Sequence, residues 1–147
     1  MSLVCGAGTG TPSESTHDSE TVAFLERQAP LQAIQPSAQL AAAARSAAAD
    51  LGPHGLSGHV GTDGSTSTQR MQREGVFASI FAEEISLGQA SAADVVRQLV
   101  IDATSPSQSH RGDLFSAVLR FAGVGCGPHR GYRWMCVIDL TSTILVR

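Results

Sequence analysis

Apolar positions recur at helical spacing in three places along the chain. Val22, Leu25 and Ala29 form a short first pattern that Pro30 stops. The clearest helix follows Ser37, with Leu40, Ala44, Ala47, Ala48 and Leu51 at i, i+4, i+7, i+8 and i+11. Ser37 is its cap, and Gly52-Pro53 its stop. Its apolar face is mostly alanine, which lets a neighbouring layer approach closely. A later helix starts at Ser91, with Asp94 three residues on as in a capping box. Its inward face is expected to comprise Ala92, Val95, Val96, Leu99, Val100 and Ala103.

Between these helices lies a Gly-, Ser- and Thr-rich loop, residues 59–75, leading into a short helix around Gln69–Arg73. Val76–Phe81 is a candidate strand. Val118–Val124 and Arg133–Leu140 are rich in β-branched and aromatic types, and residues 127–131 (GPHRG) separate them, which predicts an antiparallel hairpin. Helices, a strand, a helix and a hairpin make an α+β layered domain rather than βαβ units. Residues 6–20 are small, polar and turn-forming, and read as part of a disordered acidic tail over 1–20, with the folded domain at 21–147.

The 147 residues suit one domain. The net charge of −3 equals that of Glu14, Asp18 and Glu20 in the tail, so the remainder is neutral. A neutral domain with scattered arginines gives no electrostatic reason to expect nucleic acid or an anionic membrane as partner. All ten basic residues are arginine, which excludes P-loop and Schiff-base chemistry, both of which need lysine. No apolar run reaches the roughly 20 residues of a membrane span. The opening Met1–Cys5 lacks the regions of a signal peptide, so the chain is either intracellular or has its export signal outside this sequence.

Of five histidines, His17 lies in the tail, and His54 and His129 read as solvated loop residues. His59 and His110 stand in polar contexts, Gly58-His59-Val60-Gly61-Thr62-Asp63-Gly64 and Ser109-His110-Arg111. Glu83-Glu84 interrupts an otherwise apolar, strand-like run, where a carboxylate is costly unless paired, hydrogen-bonded or metal-bound. Two histidines and two acids match a zinc-type donor set, although the spacing fits no short zinc motif. There is no G-x-S-x-G elbow, no H-E-x-x-H and no G-x-G-x-x-G in a βαβ context. Ser105, Ser107 and Ser109 near His110 read as a loop rather than a nucleophile. Pairing about Gly131 sets Cys126 opposite Cys136, as a cross-strand disulfide or as two buried thiols, and Cys5 is unpaired in the tail. A disulfide favours an oxidising compartment.

Taken in order, these blocks resemble the CAP superfamily of cysteine-rich secretory, antigen-five and pathogenesis-related type-one proteins, in its compact microbial form. The alanine-rich helix at 40–51, the segment from Gly58 to Ser65 followed by Arg70 and Gly75, and Ala82-Glu83-Glu84-Ile85-Ser86-Leu87-Gly88 resemble successive family motifs. So do the Ser91–Asp102 helix, Ser109–Leu114 and the closing strands. The resemblance implies an α-β-α sandwich with a central antiparallel sheet between helical layers. It also implies a cleft of His59, Glu83, His110 and a second acid able to hold a divalent cation such as zinc. That acid is Asp63 on the microbial pattern and Asp102 on the animal and plant pattern; Asp63 sits in the better-matching block. Ala82, Glu84 and Asp113 depart from the family's glycine and asparagines, losing amide donors and adding negative charge.

The resemblance also implies an extracellular binding module for a lipid, sterol or cell-surface ligand. The alternative is a zinc-dependent hydrolase using the same cleft, and a third reading is a domain with no retained activity.

Overall fold

The computed structural model describes residues 12–105 and 107–145, apart from the side chains of 12–15. In chain order the elements are α1 (Pro12–Arg27), β1 (Gln35–Pro36), α2 (Ala38–His54), α3 (Ser67–Arg73), β2 (Phe81–Leu87), α4 (Ala92–Ile101), α5 (Ser109–Leu114), β3 (Phe121–His129) and β4 (Arg133–Thr141). The strands form one sheet in the order β1-β3-β4-β2. β2, β4 and β3 run antiparallel, while the two-residue β1 joins β3 in parallel, so the sheet is mixed rather than wholly antiparallel.

Side-chain alternation on β4 divides the core between the two faces of the sheet. Met135 and Val137 meet Ala44, Ala47, Ala48 and Leu51 of α2, with Ile85 and Leu87 of β2 beside them. Cys136, Ile138 and Leu140 point the other way, onto Val95 and Leu99 of α4 and Leu114 of α5. This is the expected α-β-α sandwich.

The alanine face of α2 is matched by glycine on β3. A Cβ at Gly123 would overlap the backbone of Leu40 and Ala41, and one at Gly125 that of Ala44 and Arg45. The predicted cap is present, with Ser37 Oγ accepting from Leu40 N. The predicted stop is displaced, because α2 continues through Pro53 to His54 and ends on left-handed Gly55. Gly52 is instead a packing residue, since a Cβ there would strike the Pro128 carbonyl.

Other boundaries also move. The strand expected at Val76–Phe81 begins only at Phe81, since Val76 is buried against Met71 and the chain then crosses to the sheet edge. The glutamates read as an interruption lie inside β2. Among the predicted inward positions of α4, Val95 and Leu99 are buried, whereas Val96 is 56% exposed. Helix α1 extends back into 12–20, the part of the expected tail that is described; residues 1–11, including Cys5, lie outside the described residues. Proline at the first helical position suits such a start. Cys126 and Cys136 are opposed in the ladder and form the disulfide.

Candidate functional site

Consecutive residues on a strand face opposite ways, and this decides the geometry of the histidine–acid cleft. Glu83 points to the α2–α3 side of edge strand β2, and Glu84 to the α4–α5 side. On the first side Glu83 Oε1 meets His59 Nδ1 at 2.9 Å, and Oε2 accepts from Arg70 Nη2 at 2.6 Å. Arg70, in the last turn of α3, also donates to the carbonyls of Ser65 and His59. Burial pushes the Glu83 carboxyl up, but the hydrogen bonds from His59 and Arg70 together hold it below the usual range. Asp139, directly across the ladder, is fully buried, and that burial with the neighbouring Glu83 charge pushes it up to about 8. It is therefore protonated at neutral pH beside an ionised Glu83.

On the second side His110, in the first turn of α5, places Nδ1 2.6 Å from Asp102 Oδ1. Asp102 closes α4 in the left-handed conformation, and its other oxygen accepts from Arg111 N. His110 Nε2 stands 3.5 Å from Glu84 Oε2. Burial first, then Asp113, pushes Glu84 up to about 8.

Asp63 joins neither group. Its Oδ1 accepts from Ser65 N at 2.9 Å and its Oδ2 from Arg73 at 3.0 Å, which hold it down at about 2. It braces an exposed turn. The expected set of His59, Asp63, Glu83 and His110 therefore separates into a His59–Glu83 pair and a His110–Asp102–Glu84 group on opposite faces of β2. Asp102 is the acid that meets a histidine. Among the described residues no three or more His, Cys, Asp or Glu side chains converge to hold a metal ion, and both Glu83 oxygens are already engaged. These residues as arranged do not fit a single zinc ion. The hydroxyl of Ser105 lies 3.4 Å from that of Ser107 and 3.2 Å from that of Ser109, and none has a hydrogen bond to His110.

His129, expected to be a solvated loop residue, is only 3% exposed. Its Nδ1 accepts from Gly131 N and Tyr132 N, so Nε2 carries the proton and donates to Leu56 O. It pins the hairpin tip to the chain after α2.

Another feature has no local signal in the sequence. Arg111 is 4% exposed and binds α1 to the body of the domain. It donates to Thr21 Oγ1 on α1 and to the carbonyls of Val100 and Ile101, and its guanidinium lies 5.3 Å from the Phe24 ring centre. Phe24 in turn stacks edge-on against Phe115. This attachment is polar and aromatic, and it leaves the apolar edge of α1 open. Val22 and Leu25 are 55% and 43% exposed and face Val96, Val100 and Phe115 across a groove of about 810 Å³. Asp18 and Arg97 also line it, and a smaller hollow beside it shares Leu25 and Phe115.

The chain is similar in fold to an outer surface protein from Borrelia burgdorferi (TM-score 0.61, 19% identity, 93% of this chain and 98% of that one). It is also similar to an extracellular protein containing an SCP domain from Bacillus anthracis (TM-score 0.65, 16% identity, 93% and 45%). A cysteine-rich secretory protein from Staphylococcus aureus aligns less closely (TM-score 0.52, 13% identity, 92% and 40%). The chain spans less than half of the latter two proteins. At these identities the likenesses show the fold alone, and no curated protein matches in sequence. The family model for CAP, the cysteine-rich secretory protein family, matches residues 25–138, and the chain belongs to that family.

Proposed function

We propose that this CAP domain is an extracellular binding module whose groove between α1 and α4 receives a single-chain amphipathic lipid with an anionic head. The observation that carries this reading is the facing pair of apolar edges, Val22 and Leu25 on α1 and Val96 on α4, left open to solvent. The groove falls in the size range of small-molecule sites, roughly 300–1,000 Å³. Each methylene buried there contributes about 0.8 kcal/mol, so five give about 4 kcal/mol before ordering costs. Arg97 at the rim has no ion-pair partner among the described residues and suits a carboxylate head. The disulfide accords with an oxidising compartment. So do the surface and extracellular descriptions of the Borrelia and Bacillus proteins. The zinc-dependent hydrolase alternative gains no support from the arrangement, because among the described residues no three donor side chains converge as its metal would require.

Displacement of a fluorescent fatty acid by palmitate or by cholesterol tests this. Wild type is expected to bind saturably and to release the probe to palmitate. Val96→Asp is expected to weaken binding at least tenfold, and Arg97→Gln to weaken palmitate but not a neutral long-chain alcohol. Absence of saturable binding, or equal binding by Val96→Asp, overturns the reading. Preferential displacement by cholesterol would replace the single chain with a sterol.

A further inference from the structure

The neutrality of residues 21–147 conceals a local excess of positive charge. From Leu114 to Ile138 the chain carries Arg120, Arg130 and Arg133 and not one acid. Two of these arginines stand at the tip of the β3–β4 hairpin, where residues 130–134 are all exposed. Neither Arg130 nor Arg133 has an ion-pair partner among the described residues. Asp139, the acid on β4, is fully buried, and Asp50 on the adjoining α2 accepts from Thr62. Between and beside the arginines lie Tyr132, 53% exposed, and Trp134, 45% exposed. Arg133 adopts φ 71°, a conformation in which glycine or asparagine is the unstrained choice, yet arginine occupies it.

The tip is also rigid in construction. His129 is buried beneath it and fixes the backbone N–H groups of Gly131 and Tyr132. Trp134 O accepts from Gly88 N, and the Cys126–Cys136 disulfide ties the two strands behind it. Amphipathic aromatic rings with arginines between them are the composition of an element that sits at the level of lipid headgroups. The guanidinium fork suits phosphate.

We propose that this hairpin tip docks on an anionic phospholipid surface, with Arg130 and Arg133 on headgroup phosphates and Tyr132 and Trp134 in the interface. The tip shares no residue with the α1–α4 groove, so the proposal stands apart from what the groove binds. Each basic residue near an anionic leaflet strengthens binding about fivefold.

Trp134 is the only tryptophan in the chain and therefore reports on this contact directly. The full chain would be mixed with phosphatidylcholine vesicles containing phosphatidylserine and a lipid brominated on its acyl chain. Tryptophan emission should shift to the blue and be quenched. The effect should be absent with phosphatidylcholine alone, and Arg130→Gln with Arg133→Gln should reduce vesicle affinity on the order of twentyfold. Circular dichroism would establish that the variant remains folded. Unchanged emission with anionic vesicles overturns the proposal. Equal quenching in neutral vesicles overturns the role of the arginines. Binding to heparin without quenching by vesicles would reassign the tip to a soluble polyanion.

Discussion

Glu83 and Glu84 show how one residue of register separates two chemistries. Glu83 is ionised between His59 and Arg70, whereas Glu84 and Asp139 are carboxyls that burial keeps protonated at neutral pH. Between their ordinary values, 4.5 and 3.8, and about 8, the folded state holds protons that the unfolded chain has released. Stability should therefore fall as pH rises through that window. Glu84→Gln removes one of the two groups and leaves a neutral side chain of the same shape. It is expected to raise the unfolding free energy at pH 8 on the order of 2 kcal/mol and to change it little at pH 4.5. Urea denaturation of both proteins at the two pH values checks this; an unchanged pH slope would contradict it. The histidines and acids were legible from their residue types and polar surroundings. Their partners were not, because the apolar pattern suggests a strand at 76–81, and only a strand running through Glu83-Glu84 sends the two side chains to opposite faces.

At the scale of elements, α2 was legible because its cap, its alanine face and its core positions all follow one helical period. Its partner surface was less so: nothing local to Gly123 or Gly125 indicates that a helix backbone rests on them. Gly125→Ala is expected to destabilise the domain by about 3 kcal/mol, since backbone rather than a flexible side chain must move. Denaturant unfolding would show this, and a loss below about 0.5 kcal/mol would mean that α2 does not approach so closely. Helix α1 was the element least legible in sequence. Its inner contacts depend on Thr21, Phe24 and a buried arginine 90 residues away rather than on an apolar stripe. The apolar stripe that the sequence does show, Val22 and Leu25, lines the groove instead of the core.

For the whole molecule, the order of helices and strands indicated a layered α+β domain, but an overall charge cannot reveal where arginines gather. The Cys126–Cys136 disulfide links the two hairpin strands covalently. Replacing Cys126 and Cys136 by serine should cost about 3 kcal/mol, the loop-closure value for a separation of 10 residues. Thiol counting under denaturing, non-reducing conditions should find one reactive thiol per chain; three would remove the disulfide and the argument for an oxidising compartment with it. Lipid binding in the open groove between α1 and α4 carries the proposed function. Its most direct test is a crystal of the protein soaked with a fatty acid brominated along its chain, with the bromine located by anomalous scattering. A bromine peak is expected among Val22, Leu25 and Val96, with the carboxylate towards Arg97. A well-occupied peak elsewhere, or none in the groove at saturating ligand, would contradict it.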